Sequence, residues 1–449
     1  MWTLELPPFM PFLLAAIAAL FTHGRLTNIL MIATPIWGAI NLWLLPQTSL
    51  WQFSILGLEI APVRIDNLSL IFGYVFHLAA FLSIVFALHV HDKMQQLATL
   101  VYTCAALGAV FAGDLLTLFI FWELMAVSSA FLIWAKRTER SYASGFRYFV
   151  YQFISGLILL VGILLYWQVY GNLTFEHMTL NNLGSALIFL AFGIKCAFPM
   201  LHTWLTDAYP EATATGTVLL SALTTKVAVY ALARGFAGTE LLVYIGAVMT
   251  CFPIFYAVIE NDLRRVLAFS LINQLGFMVV GIGIGTELAI NGAVSHAFND
   301  VLFKGLLFMA MGAVLQMTGR INGSDLGGLY KTMPKTTVLC IIGAASISAF
   351  PLFNGYVSKS MVMTAVMEQG YEGIWLALLF ASAGVFHHAG IKIPYFAFFG
   401  HNSGIRAIDP PGNMLFAMVI SAVLCLAIGI YPNLLYQFLP FELDYSPYD

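Results

Sequence analysis

Apolar runs of about 20 residues recur along the whole chain, parted by short polar turns. A run of that length is what an α-helix needs to cross the hydrocarbon core of a bilayer. Fourteen such spans are predicted, near 8–22, 26–45, 67–89, 95–112, 115–134, 146–169, 183–199, 213–236, 241–259, 266–284, 288–316, 336–363, 374–398 and 413–437. The stretch from Trp51 to Ile65 interrupts the rhythm: a turn-like Gly57 among β-branched residues predicts a short outer hairpin near 51–66. Residues 171–182 are predicted as a second outer loop, with room for one or two turns of surface helix.

Two spans carry breaks. Span seven contains Lys195-Cys196-Ala197-Phe198-Pro199, and span twelve contains Ala349-Phe350-Pro351-Leu352-Phe353-Asn354-Gly355. Proline or glycine inside a membrane helix frees backbone groups, which is tolerated where protein or a polar cavity satisfies them. Transporters use pairs of broken helices at ion sites. Lys195 is followed by Lys226 on the next span, and Lys359 by Lys392 on the next. Spans seven and twelve are an odd number apart, so the two units run in opposite directions, the mark of inverted repeats. The expected organisation is spans one to three with the hairpin (1–94), a first five-helix repeat (95–236), an inverted second (241–398), and span fourteen with a short acidic tail (399–449). The fold class is an all-α polytopic membrane protein.

Composition agrees. Hydrophobic residues are 60% of the 449 and mean hydropathy is +0.88, well beyond soluble domains. The net charge of −3 comes with no basic block, which argues against nucleic acid. Five scattered cysteines without CxxC spacing give no metal, cluster or disulfide signal, so neither metal nor cofactor is expected. No cleavable signal peptide is evident before the first span. With loops after odd spans on the cytoplasmic side, that side holds Arg25, Lys93, Lys136, Arg137, Arg140, Arg147, Arg264, Arg265, Arg320, Lys331, Lys335 and Arg406. The other side holds only Arg64 and Arg234, so both termini are expected outside.

Seven ionisable residues remain within the spans: Glu123, Lys195, Lys226, Asp300, Lys304, Lys359 and Lys392. Each costs roughly 2.5–3.5 kcal/mol at a bilayer centre, so they are expected to pair or to line a path for protons or cations. All the bases are Lys, which exchanges its proton readily where Arg does not. Glu123 fits a partner that tunes a neighbouring Lys, or a structural ion pair. His296, Asp300 and Lys304 recur every fourth residue and share one helix face, spanning ~12 Å. Lys392 lies near a predicted cytoplasmic end, where snorkelling competes with a pathway role, and His387 and His388 beside it are candidates for water access. Asp207 and Glu211 form either an entrance or a cap for span eight, and Glu260 is expected to face Arg264 or Arg265.

Gly193-Ile-Lys-Cys-Ala-Phe-Pro-Met-Leu-His-Thr-Trp-Leu-Thr-Asp-Ala-Tyr-Pro-Glu-Ala-Thr213, with Phe121-Trp-Glu123, Thr225-Lys-Val-Ala-Val-Tyr230 and His296 to Lys304, resembles the antiporter-like subunits of respiratory complex I and of Mrp-type cation/proton antiporters. The resemblance runs from about Val63 to Phe399, and Ser346 to Ser360 looks most like the Mrp D-type subunit. It implies a fourteen-helix core in which Glu123 and Lys195 form a proton pair, Lys226 connects, and Lys359 ends the path. Asp300 departs from it, since many relatives carry histidine there. The chain ends twelve residues past span fourteen with no lateral helix, which sets the expectation against the largest complex I member. The expected protein is a proton-conducting subunit in the cytoplasmic (inner) membrane of a bacterium or archaeon, without a catalytic centre of its own. It would work among other membrane subunits on protons and Na⁺. The alternatives are a proton-pumping subunit of a complex I-like or hydrogenase redox complex, and a structural adaptor.

Overall fold

The computed structural model describes residues 6–55 and 57–448. The chain opens with α1 (Met10–Phe21) and α2 (Arg25–Leu44). Short ladders follow: Ser49–Leu50 (β1) pairs antiparallel with Val63–Arg64 (β4), and Phe53–Ile55 (β2) with Leu58–Ile60 (β3). This is the expected hairpin, turned at Gly57 with φ +80°. Then come α3 (Asn67–Phe86), α4 (Lys93–Phe111), α5 (Leu115–Trp134) and α6 (Glu139–Tyr170).

The first broken helix is α7 (Leu183–Lys195) with the short α8 (Thr203–Ala208). It is followed by α9 (Gly216–Ala222), α10 (Thr224–Gly235), α11 (Leu241–Ile259), α12 (Leu263–Ile284) and α13 (Glu287–Thr318). The second broken helix is α14 (Pro334–Ile347) with α15 (Asn354–Glu368). Next, α16 (Glu372–Val385) runs on through π-helical turns and the α17 turn (Lys392–Pro394) to Phe399. Last are α18 (Gly412–Ile430) and α19 (Asn433–Tyr436). Among the described residues eleven helical stretches are long and apolar enough to cross a membrane, and Met10–Phe21, Leu183–Lys195 and Pro334–Ile347 are shorter apolar helices.

The polar turns start helices by capping them. Asp66, Asp92, Asp114, Thr138, Asn182, Asp262 and Thr286 each accept a backbone N–H from the first turn of the helix that follows. Gly171, Gly285 and Gly319 end α6, α12 and α13 in the left-handed region that an L side chain resists.

Three expectations need correction. Residues 171–182 hold no helical turn: Thr174 bridges Asp114 in extended backbone, and Leu115 N–H donates to Leu173 O at 2.8 Å. Span eight is not continuous, because the helix breaks at Leu223 between α9 and α10. Several basic residues assigned to loops lie on helices instead. Arg140 falls within α6, and Arg264 and Arg265 in the first turn of α12. The cause is common to all: helices run past their apolar stretch as far as a capping residue allows.

Candidate functional site

The two predicted breaks share one backbone. Ala197 and Met200 have φ +62° and +68°, and Ala349 and Leu352 have φ +56° and +71°. Phe198 N–H reaches back to Gly193 O at 3.0 Å, and Phe350 N–H to Ala345 O at 3.1 Å. These are helix terminations with a left-handed residue, built on Ala where Gly is usual.

The third break, at Leu223, has no proline. The bond expected from Thr224 N–H to Leu220 O is replaced by two phenols. Thr224 N–H donates to Tyr102 Oη at 2.9 Å, and Tyr209 O–H donates to Leu220 O at 2.9 Å. Side chains inserted into the ladder break a helix as surely as proline does. Sequence reasoning missed Tyr102 and Tyr209, because the breaking residues come from other segments.

Around these breaks lie the ionisable residues. Lys195 ends α7, fully buried, donating to Trp122 O at 3.0 Å with Nζ 4.4 Å from the Trp122 ring centroid. Glu123, on α5, is half-buried, and its Oε1 has no hydrogen-bond partner among the described residues. Among the described residues no ion pair within 4.0 Å joins it to Lys195, so the expected pair is one of neighbours without contact. Its carboxylate occupies space left open by Gly156 of α6, where a Cβ would collide with it.

Lys226, on α10 just past the third break, donates to Ser221 O at 3.0 Å and contacts Asp300 Oδ2 across to α13. Both side chains are wholly buried. The ladder on α13 thus makes its closest charge contact with another helix. Lys304 instead donates to Ser270 Oγ of α12 at 2.8 Å. His296 Nδ1 lies 2.9 Å from Ser358 Oγ of α15. The next residue, Lys359, donates to Ile347 O, the last carbonyl of α14, at 2.8 Å, with Nζ 5.1 Å from the Phe277 ring centroid. Asn299 and Asn354 bond reciprocally beside the second break, at 2.8 and 3.2 Å. Ser270, Ser358, Asn299 and Asn354 were legible only as apolar-span polar residues, too common to single out.

The peripheral candidates separate from this axis. Lys392 is half-buried and donates to Ala257, Val258 and Glu260 carbonyls at the C-terminal end of α11, with His387 lining the same surface cleft. His388 is wholly buried, and among the described residues neither ring nitrogen has a hydrogen-bond partner within bonding geometry. Asp207 takes a two-pronged contact from Arg147 (2.7 and 3.0 Å), and Glu211 meets Lys136 at 3.0 Å. Neither caps α9, whose N-cap Thr215 makes no side-chain cap bond. Arg264 is buried, donating to the carbonyls of Tyr209, Pro210, Ala212 and Thr213. That leaves Glu260 to Arg265, at 3.8 Å. At the opposite end Arg234 grips both Asp66 oxygens, at 2.7 and 2.8 Å. Burial raises the Asp66 carboxyl, but Arg234, the Ser69 N–H and Arg64 outweigh it and hold it below the usual carboxylate range.

A family model described as NADH:quinone oxidoreductase/Mrp antiporter, TM, matches residues 112–386, which include every residue of the central axis. The chain belongs to that family. It is 28% identical over 354 residues to the D-type Na(+)/H(+) antiporter subunit of Alkalihalophilus pseudofirmus, covering 74% of this chain and 71% of that one. It is also 28% identical over 352 residues to Hydrogenase-4 component B of Escherichia coli, covering 69% of this chain but only 52% of the relative. In fold it is similar to a chain of the Mrp complex from Dietzia sp. DQ12-45-1b, with a TM-score of 0.86, 22% identity and coverage of 98% and 97%. The protein is therefore a polytopic membrane member of the antiporter-like family, with the mostly helical fold of its Mrp-type relatives.

Proposed function

We propose that this chain is the proton-conducting subunit of a multi-subunit monovalent-cation/proton antiporter, with Na⁺ as the exchanged cation. The observation that carries the reading is the run of buried ionisable groups from one broken helix to the other. Lys195, Lys226 with Asp300, His296, Lys304 and Lys359 lie on α7, α10, α13 and α15, with Glu123 at the near end. A merely adhesive core gains little from such a series, because well-packed apolar residues often do as well or better. Protons enter at the end held by Asp207 and Glu211 and pass along the axis to Lys359. Lys392, His387 and His388 form an access region at the second half. Fourteen spans in two inverted five-helix units, with both termini outside the cytoplasmic membrane, fit the basic-residue asymmetry. Arg64 and Arg234 gather on Asp66 at one end, whereas Lys136, Arg147 and Arg264 gather on the 207–213 segment.

The likeness to a hydrogenase component keeps a second reading alive, a proton-pumping subunit of a redox complex. Purifying the complex with its partner subunits and assaying Na⁺-driven pH change in inverted vesicles decides between them. Antiport without redox-centre subunits is the expected result. Co-purified iron–sulfur or quinone-binding subunits, with no Na⁺ response, would replace it by the redox reading. An adaptor role predicts that Lys226→Met leaves transport intact while lowering assembly.

A further inference from the structure

Asp300 has a choice of partners. Its Oδ2 is in ion-pair contact with the Lys226 ammonium, and neither carboxylate oxygen has a hydrogen-bond donor among the described residues. Lys304 stands one turn further along α13, at the i+4 spacing that brings a carboxylate and an ammonium together on one helix face. Its single hydrogen-bond partner among the described residues is the neutral Ser270 hydroxyl. His296 is one turn the other way, its Nε2 without a partner among the described residues, and Lys359 follows the serine that holds its ring. Asp300, Lys226 and Lys304 are 0, 0 and 1% exposed, so bulk solvent does not reach the charges. One carboxylate faces two amines and neutralises one ammonium at a time.

We propose that Asp300 is an exchangeable counter-ion: it pairs with Lys226 in the state described above and turns to Lys304 in a second state, coupling the two halves of the path. The inference rests on the proposed proton axis. In the step it serves, an N–H bond breaks at Lys226 Nζ and one forms at Lys304 Nζ, and Asp300 stays a carboxylate throughout. One ammonium and one carboxylate are present before and after, so the buried charge does not change. Lys226 is left a neutral amine donating to Ser221 O, and Lys304 gains the carboxylate that the serine cannot replace. The residue at 300 therefore acts as a positioning residue, and histidine in its place would itself carry the proton.

The test uses the purified complex in liposomes, with NaCl as the driving salt and a trapped pH dye. Asp300→Glu keeps a carboxylate within reach of both amines and is expected to retain most transport. Asp300→Asn is expected to lose about a hundredfold, because without its counter-ion the transfer from Lys226 to Lys304 stalls, and losing a proton-transfer step costs on that order. The deciding variant is the exchange Lys226→Asp with Asp300→Lys. It preserves a buried pair, so assembly yield and thermal midpoint recover. Transport stays lost, because the carboxylate then sits on α10 and Lys304 has none on its own helix. Recovery of Na⁺-driven pH change by that double variant would overturn the exchange, since a fixed pair would suffice. If Lys195→Met and Lys359→Met also transport normally, the proposed axis itself falls; if they fail while the double variant works, only the exchange falls. Infrared difference spectra, referenced to Asp300→Glu, give a second reading that needs no double variant. They are expected to show the Asp300 carboxylate band shifting between states, and a protonated carboxyl band would overturn the proposal.

Discussion

The two broken helices are alike in backbone and unlike in chemistry. Aligning Ala197-Phe198-Pro199-Met200 with Ala349-Phe350-Pro351-Leu352 in sequence pairs Ile347 with Lys195, and Asp207 with Lys359. The lysines thus occupy opposite segments of the two breaks. In the first, Lys195 is the last helical residue and turns to α5, where Trp122 holds it. In the second, Lys359 reaches back from α15 to the carbonyl of the residue matching Lys195. A helix C-terminus carries partial negative charge, which favours an ammonium there. The lesson is that the breaks supply a geometry, and each half fills it from a different side.

The following helices differ even more. Lys226 is sealed against Asp300, whereas Lys392 is half-buried at the end of α11. Their equivalence in the sequence pattern does not extend to their surroundings. The largest contrast should therefore come from comparing Lys359→Met with Lys392→Met in Na⁺-driven vesicle assays. Loss of Lys359 is expected to lower transport by about a hundredfold, as for a missing proton carrier. Loss of Lys392 removes a contact with helix-end carbonyls, worth about 0.3–1 kcal/mol, and is expected to lower thermal stability slightly and transport far less than loss of Lys359 does, as for a group at the access region rather than on the axis. Equal losses would return Lys392 to the axis.

Much of this was legible in the chain, and the pattern of what was not has one cause. Spans, the hairpin and the two proline breaks are local features, so periodicity and turn residues reveal them. The ionisable residues stand out because lipid makes each of them expensive. Partnerships were not legible, because they join segments far apart. Asp300 reads as part of a ladder with Lys304, four residues away, yet its contact is Lys226 on another helix. The break at Leu223 depends on Tyr102 and Tyr209, and no local residue signals it. Arg264 reads as a loop charge, but it binds the carbonyls that the turn from α8 to α9 leaves free.

The near end of the first half offers a smaller effect. Glu123 fits because Gly156 has no side chain, and the second break has no acidic residue seated in this way among its described contacts. Gly156→Ala pushes a methyl into the carboxylate, the far end of a flexible side chain that can swing aside, and is expected to cost at most about 1 kcal/mol, the low end of overpacking, seen as a lower thermal midpoint of the solubilised complex. Transport should fall with it, because Glu123 is displaced from the Lys195 side. Gly156→Ala with Glu123→Asp shortens the crowded side chain, so recovery of the midpoint is expected. A normal midpoint in the single variant would show that α5 and α6 yield there, and that the glycine is incidental.

The smallest effect bears most directly on whether the two breaks are one device. Ala197 and Ala349 hold nearly the same left-handed φ, where an L residue is strained by roughly 1–2 kcal/mol. Glycine relieves that strain but adds freedom to the unfolded chain, worth about 0.4–1 kcal/mol in the opposite sense. The net expectation for Ala197→Gly or Ala349→Gly is a gain of up to about 1 kcal/mol, equal at both sites within error. Valine at either position, β-branched and resistant to positive φ, should destabilise instead. Opposite signs for the two glycine variants would mean that the matching dihedral angles are maintained by different forces. Equal gains with unequal transport would separate the common scaffold from the chemistry each half builds on it: Lys195 lies two residues before its alanine, whereas Lys359 lies ten residues after.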